Sequence, residues 1–169
     1  MSIKKSLLPD YYFAAFSDAS AEFLSELGVK GIVLDIDNTL EPYENPTPSA
    51  AVLSWFDSLK AAGIKAAFVS NNGAERVELF NRELGLPAYY KAGKPFKKNV
   101  LKALSEMDVS PDEAIMMGDQ IFTDVWAARN AGIRAILVPP IKDKIDVLTR
   151  TKRLLEKPLI KKYKKRNKI

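Results

Sequence analysis

The chain has no cysteine and no histidine. The first absence excludes disulfides and thiolate chemistry, which fits a reducing compartment. The second removes the imidazole base and, with the first, the usual zinc sites. Any catalysis therefore runs on carboxylates, lysines, hydroxyls and amides. Long apolar runs are missing too: nothing approaches the ~18 residues of a spanning helix. The start of the chain carries Lys4 and Lys5, but Pro9, Asp10 and Asp18 interrupt its short apolar stretch, which does not suit a signal peptide. The expectation is a cytoplasmic protein, at most peripheral to a membrane.

What is present is a chain of 169 residues, enough for one domain with a real core. Charge is unevenly placed. Residues 142–169 hold twelve Lys/Arg against three acids, whereas the preceding 141 residues hold fourteen against eighteen. The expected organisation is a mildly acidic core over 1–141, with a helical N-terminal leader, and a basic tail over 142–169. Within that tail, 161–168 is low in complexity and reads as flexible.

The most informative stretch is Ile32-Val33-Leu34-Asp35-Ile36-Asp37-Asn38-Thr39-Leu40. An apolar, β-branched run reads as a buried strand and leads into two aspartates spaced i, i+2. Two carboxylates on one side of a strand repel unless a cation or a shared proton lies between them. Without histidine or cysteine, a hard oxygen-bound ion such as Mg²⁺ is the natural candidate.

Five strands are predicted, at 31–36, 64–69, 88–90, 114–117 and 134–138. Helical patterns separate them at 48–62, 74–84, from Lys94-Pro95 onward, and at 123–130. The first helix carries Val52, Trp55, Phe56 and Leu59 on one face, and the third carries Val100, Leu101 and Leu104. Gly63, Gly85 and Gly132 stop helices. Phe13, Phe16, Phe23, Leu24 and Leu27 of the leader are expected to pack a helix against the sheet edge. Trp55 and Trp126 are both expected in the core. The alternation predicts an α/β fold, doubly wound, with a mainly parallel five-stranded sheet between two helical layers.

Every polar cluster of interest falls just after a predicted strand: Asp35/Asp37/Thr39, Ser70/Asn71, Lys94 and Asp119/Asp124. A parallel sheet brings all four ends to one edge, where open α/β folds bind ligands.

Together, Asp35-Ile36-Asp37-Asn38-Thr39, Ser70-Asn71-Asn72, Lys94-Pro95 and Gly118-Asp119-Gln120-Ile121-Phe122-Thr123-Asp124 resemble the four motifs of the haloacid dehalogenase (HAD) superfamily. The likeness is to its phosphatase branch, subfamily IIIA. The leader Leu7-Leu8-Pro9-Asp10-Tyr11 and the Asp-Ile-Asp-Asn-Thr-Leu form are similar to the YqeG-type group, related to phosphatidylglycerophosphate phosphatases. The resemblance implies a Rossmann-like HAD core and a Mg²⁺-dependent phosphomonoester hydrolase working through an aspartyl-phosphate. Asp35 is then the nucleophile and Asp37 the general acid and base, fixed by Thr39. Mg²⁺ falls to the carboxylates of Asp35 and Asp119 and the main-chain carbonyl of Asp37. Ser70 and nearby amides, in the loop with Asn71, hold phosphate oxygens, and Lys94 balances charge. Asp124 orients Lys94 or a water on the ion.

Relatives with lids insert a cap domain between the first and second motifs or between the second and third. Here 40–48 is only a loop, and 72–94 holds one helix and a short strand. The core is expected to be capless, with an open site suited to a large substrate. The basic tail suits an anionic membrane surface, which favours a membrane phosphomonoester such as phosphatidylglycerophosphate. Ile145, Leu148, Leu154 and Leu155 would give that segment a short apolar face. The alternatives open at this point are a nucleotide, polynucleotide end or phosphoprotein substrate, or an RNA- or ribosome-associated protein with an idle site.

Overall fold

The computed structural model describes residues 7–142 and 147–169. Six parallel strands form one sheet: β1 (Tyr11–Tyr12), β2 (Gly31–Leu34), β3 (Lys65–Val69), β4 (Ala88–Tyr89), β5 (Ala114–Gly118) and β6 (Arg134–Leu137). Their order is β1-β6-β5-β2-β3-β4, with β2 between β5 and β3. The helices are α1 (Ala21–Glu26), α2 (Ala50–Ala61), α3 (Ala74–Asn81), α4 (Lys98–Met107), α5 (Trp126–Ala131) and α6 (Val147–Asn167).

The two-residue period of the strands builds the layers. Ile32 and Leu34 of β2 face one core cluster, together with Phe68, Ile115 and Met117. Val33, with Ala67, Val69 and Met116, faces the other. The first cluster is closed by α2, whose Val52, Trp55, Phe56 and Leu59 are buried as the sequence period predicts. Burying such side chains contributes roughly 1.5–3 kcal/mol each. Ser49 starts this helix by accepting a hydrogen bond from the Val52 N–H at 3.4 Å. On the other side, α4 buries Val100, Ala103, Leu104 and Met107. Leu101 turns outward.

The sheet differs from the five predicted strands at its edge. Tyr11–Tyr12 adds a sixth strand, parallel to β6. Asp10 fixes it: its N–H donates to the Ala135 carbonyl at 2.9 Å, and its carboxylate accepts from the Ala135 N–H at 2.7 Å. A two-residue strand is too short for periodicity to reveal. The leader is thus strand, short 3-10 turn and helix. Phe13, Phe16, Phe23 and Leu27 pack on the first cluster.

Two further expectations change. Trp126 is 41% exposed, because α5 packs through the small residues Ala127, Ala128 and Ala131. The segment read as flexible, 161–168, belongs to α6 through Asn167. That helix is tied down by Tyr163, whose hydroxyl donates to the Asp10 carbonyl at 3.1 Å, and by Leu159 and Ile160 against the second cluster. Leu148, Leu154 and Leu155 stay exposed, and Ile145 lies outside the described residues. Among the described residues, no helix is long and apolar enough to cross a membrane.

Candidate active site

The chain leaves β2 at Leu34 and turns at once. Asp35 N–H still donates to the Met117 carbonyl of β5, at 3.0 Å. Asn38 then takes a left-handed conformation, φ 61°, which asparagine tolerates better than most residues. Its N–H reaches the Glu41 carbonyl at 2.7 Å, and Leu40 N–H reaches the Ile36 carbonyl at 3.0 Å. This tight turn keeps Asp35, Asp37 and Thr39 at the sheet edge, all buried.

The other three loops meet it there. Lys94 follows β4, and its ammonium lies 3.0 Å from Asp35 Oδ1 and 2.7 Å from Asp124 Oδ1. The Asn71 side chain holds the Lys94 backbone from both sides. Its Oδ1 accepts from the Lys94 N–H at 2.8 Å and its Nδ2 donates to the Lys94 carbonyl at 3.2 Å. Ser70 is buried, and its hydroxyl oxygen accepts from the Asn72 N–H at 3.1 Å. After β5, a π-helical turn (Ile121–Val125) carries Asp124 back over Gly118. Asp124 Oδ2 accepts from the Gln120 N–H at 3.0 Å. Asp35, Asp119 and Asp124 each offer an oxygen, all within 4.8 Å of one another.

Thr39 is placed differently from expectation. Its hydroxyl donates to Asp119 Oδ1 at 3.4 Å, and Asp37 is held by other residues. Asn72 Nδ2 donates to Asp37 Oδ2 at 2.8 Å, and Arg76 Nε to Asp37 Oδ1 at 2.9 Å. Sequence reasoning passed over Arg76, which lies on α3 just beyond the second polar loop; its position one helical turn after Asn72 was the available signal. It also passed over Arg153 of α6, whose Nη2 lies 2.7 Å from Asp119 Oδ2. No spacing in the chain announces that contact.

The electrostatics show a deficit of positive charge. Three buried carboxylates, Asp35, Asp119 and Asp124, face two cations, Lys94 and Arg153. Burial pushes Asp35 up to about 7; Lys94 pulls the other way, while Asp124 and Asp119 add to the rise. Burial likewise raises Asp119 to about 6, helped by Asp124 and opposed by Arg153. Burial disfavours the charge on Lys94, but Asp124 and Asp35 outweigh it and hold the ammonium above its ordinary value. A cluster of hard oxygen donors short of one positive charge fits a hard divalent cation.

A cleft of about 650 Å³ opens over this floor. Asp35, Asp37, Ser70, Asn71 and Lys94 line it from the sheet edge, and Lys142, Thr149 and Lys152 line it from the C-terminal segment. The places where a cap domain would enter hold a loop before α2, and α3 with β4.

A doubly wound parallel sheet with carboxylates and a lysine on its C-terminal edge defines a Rossmann-like α/β core with its ligand site at the strand ends. Comparison with known proteins makes the assignment specific. The profile of the family described as Haloacid dehalogenase-like hydrolase matches residues 30–138. The Probable phosphatase YqeG of Bacillus subtilis (strain 168) is 36% identical over 167 residues, 99% of this chain and 97% of its own length. The Putative pyrophosphatase PpaX of Clostridium perfringens is 33% identical over 86 residues, 46% of this chain and 40% of that protein. Among solved structures, CbbY from Rhodobacter sphaeroides in complex with phosphate superposes with a TM-score of 0.56 at 16% identity, over 70% of this chain and 89% of that one. A HAD-superfamily hydrolase from Ehrlichia chaffeensis gives 0.55 at 18% identity, over 78% and 98%. These two show the shared fold.

The chain belongs to the haloacid dehalogenase-like hydrolases. Within that superfamily it is an enzyme of the phosphatase type.

Proposed function

We propose that this protein is a Mg²⁺-dependent phosphomonoester hydrolase that works through an aspartyl-phosphate on Asp35, with phosphatidylglycerophosphate as its substrate. The observation that carries the reading is the meeting of Asp35, Lys94, Asp119 and Asp124 on one sheet edge, beside Asp37. Phosphoryl transfer asks mainly for positioning and for charge opposite the three phosphoryl oxygens.

In the first step a carboxylate oxygen of Asp35 attacks phosphorus and the ester P–O bond breaks. The leaving oxygen takes a proton from Asp37, which Asn72 and Arg76 hold in one orientation. In the second step Asp37, now a carboxylate, takes a proton from water. The water oxygen attacks phosphorus, the bond to Asp35 breaks, and phosphate leaves with both aspartates restored. Lys94, held between Asp35 and Asp124, lies against the phosphoryl oxygens as they lose their ester partner. Ser70 and the amides of its loop take the remaining oxygens, and Asn71 fixes the backbone of Lys94.

Asp35 and Asp119 would hold Mg²⁺, with the Asp37 carbonyl that the family resemblance adds. When bound, the ion supplies positive charge that lets a dianionic phosphate approach a carboxylate. The catalytic unit in this reading is 1–141. The basic segment 142–169 supports a contact with an anionic membrane surface, where α6 presents exposed Leu148, Leu154 and Leu155 beside its lysines.

The test is phosphate release by wild type and Asp35→Asn, with Mg²⁺ or with EDTA, on phosphatidylglycerophosphate in mixed micelles and on an aryl phosphate. Mg²⁺-dependent turnover of the lipid that disappears in the variant is expected. Undiminished turnover by Asp35→Asn overturns the mechanism. Turnover of the aryl phosphate with none of the lipid overturns the substrate.

A further inference from the structure

The cation on the floor of the cleft and the two arginines behind it are already engaged. Lys94 lies between Asp35 and Asp124, Arg76 holds Asp37, and Arg153 holds Asp119. The cleft is far larger than a phosphoryl group, and its far wall is built by the C-terminal segment. Two lysines stand on that wall. Lys142 is paired with Glu44 at 2.8 Å, both exposed. Lys152 lines the cleft half-buried, and its side chain has no hydrogen-bond or ion-pair partner among the described residues. It is the one cleft-lining cation without an acidic partner there.

Its place is fixed by its neighbours on α6. Arg153, the next residue, is locked on Asp119, and Glu156, one turn further, accepts from the Phe122 N–H at 3.1 Å. Lys152 is therefore a positioned charge on a docked helix, facing a cleft whose other lysines are neutralised. Such a charge favours an anionic group and penalises its absence little.

We propose that Lys152 forms a second anion subsite, so that the preferred substrate is a phosphomonoester carrying a second phosphate-type anion a short linker away. This rests on the hydrolase reading for the first phosphate and deepens it by naming the residue that recognises a second anion, such as the phosphodiester of the substrate proposed above. The phosphoryl group to be removed sits over Asp35. The second anion stays on the product and is held by Lys152, with Lys142 within reach when it leaves Glu44.

The experiment compares matched pairs. Alkanediol bisphosphates of two to six carbons are run against alkyl monophosphates of the same length, reading kcat and KM separately. In parallel, calorimetry measures the non-hydrolysable bisphosphonates and monophosphonates. A lipid phosphomonoester that carries a phosphodiester, in mixed micelles, separates a membrane head group from a soluble substrate. The second anion is expected to lower KM, and the bisphosphonate Kd, by roughly tenfold at one linker length, as one charge-assisted contact would. Lys152→Met and Lys152→Gln are expected to abolish the preference, and Lys152→Arg to keep it. No preference in wild type, or one indifferent to all three substitutions, overturns the subsite even if hydrolysis is confirmed. If nothing is hydrolysed but bisphosphonate binds more tightly through Lys152, the subsite stands and the hydrolase reading falls.

Discussion

Arg153 follows Asp119 by 34 residues, on a helix outside the sheet, yet its Nη2 lies 2.7 Å from Asp119 Oδ2. The carboxylate is almost wholly buried and the guanidinium mostly so. Asp119 is also one of the oxygens that fit a divalent ion. A buried pair broken from one side leaves its partner's charge unmatched, typically at a cost of about 3 kcal/mol or more. Arg153→Gln is therefore expected to lower the thermal midpoint in EDTA by several degrees. Added Mg²⁺ should restore more of the midpoint in the variant than it adds to wild type. Differential scanning calorimetry with and without the ion reads both. Equal Mg²⁺ effects in the two proteins would place the ion away from Asp119.

Gly118 ends β5 directly beneath Asp124. A Cβ there would overlap the Asp124 Cβ and carboxylate. Asp124 cannot simply move aside, because Lys94 and the Gln120 N–H hold its two oxygens. Gly118→Ala should thus break the Asp124–Lys94 contact as well as strain the strand end. Overpacking of this kind costs roughly 1–3 kcal/mol. The expected result is a protein that folds with a lowered urea midpoint and loses turnover far beyond that drop, read as kcat on folded protein. Retention of wild-type kcat would show that Asp124 does not position Lys94 for the reaction.

The parts of this fold that were legible in the sequence are those made by periodicity and by strand ends. Apolar runs located β2, β3, β5 and β6, and the i, i+3, i+4 face of Val52, Trp55, Phe56 and Leu59 located α2. Asp35, Ser70, Lys94 and Asp119 could be grouped because a parallel sheet sends all its strand ends to one edge. What escaped depends on tertiary contact. Tyr11–Tyr12 is a strand only because the edge of β6 is there to receive it. The lysine-rich end of α6 looks disordered by composition, but Tyr163, Leu159 and Ile160 anchor it. Arg153 reaches Asp119 across 34 residues of sequence, a separation no local pattern encodes, whereas Arg76, one helical turn past Asn72, shows its target only once α3 is docked.

Glu156 gives a pH signature on that anchoring helix. It is buried, and burial raises it from an ordinary 4.5 to about 7, against the opposing pull of the Phe122 N–H and Arg153. The folded state therefore keeps a proton that the unfolded chain has already lost. Stability from this group is fully present below pH ~4.5 and falls as the pH rises to about 7, beyond which it is level. Glu156→Gln keeps an oxygen for the Phe122 N–H but cannot ionise. Urea midpoints at pH 5, 6, 7 and 8 should show the variant gaining on wild type with rising pH and levelling off above 7. Asp119 is the buried acid coupled to Glu156, so the same series on an Asp119→Asn background isolates Glu156. A constant difference across the series would mean that Glu156 does not titrate in this window.

Arg76 offers the sharpest separation of chemistry from binding. Its Nε lies 2.9 Å from Asp37 Oδ1, while Asn72 donates to the other oxygen at 2.8 Å. Both carboxylate oxygens are thereby held, and the group is presented to the cleft in one orientation. A general acid–base group contributes roughly 10²–10⁴-fold, and only when it is aimed at the oxygen it serves. Arg76 does not line the cleft, so its loss should leave substrate binding largely alone. Arg76→Met is expected to lower kcat by about tenfold to a hundredfold with KM little changed. Arg76→Lys should recover part of it, because an ammonium replaces one donor but not the planar guanidinium. The decisive comparison uses a leaving group of low pKa, such as a nitrophenol, which departs without a proton. The deficit of Arg76→Met should shrink on that ester and remain on an alkyl phosphate. An equal loss on both esters would assign Arg76 a structural role instead.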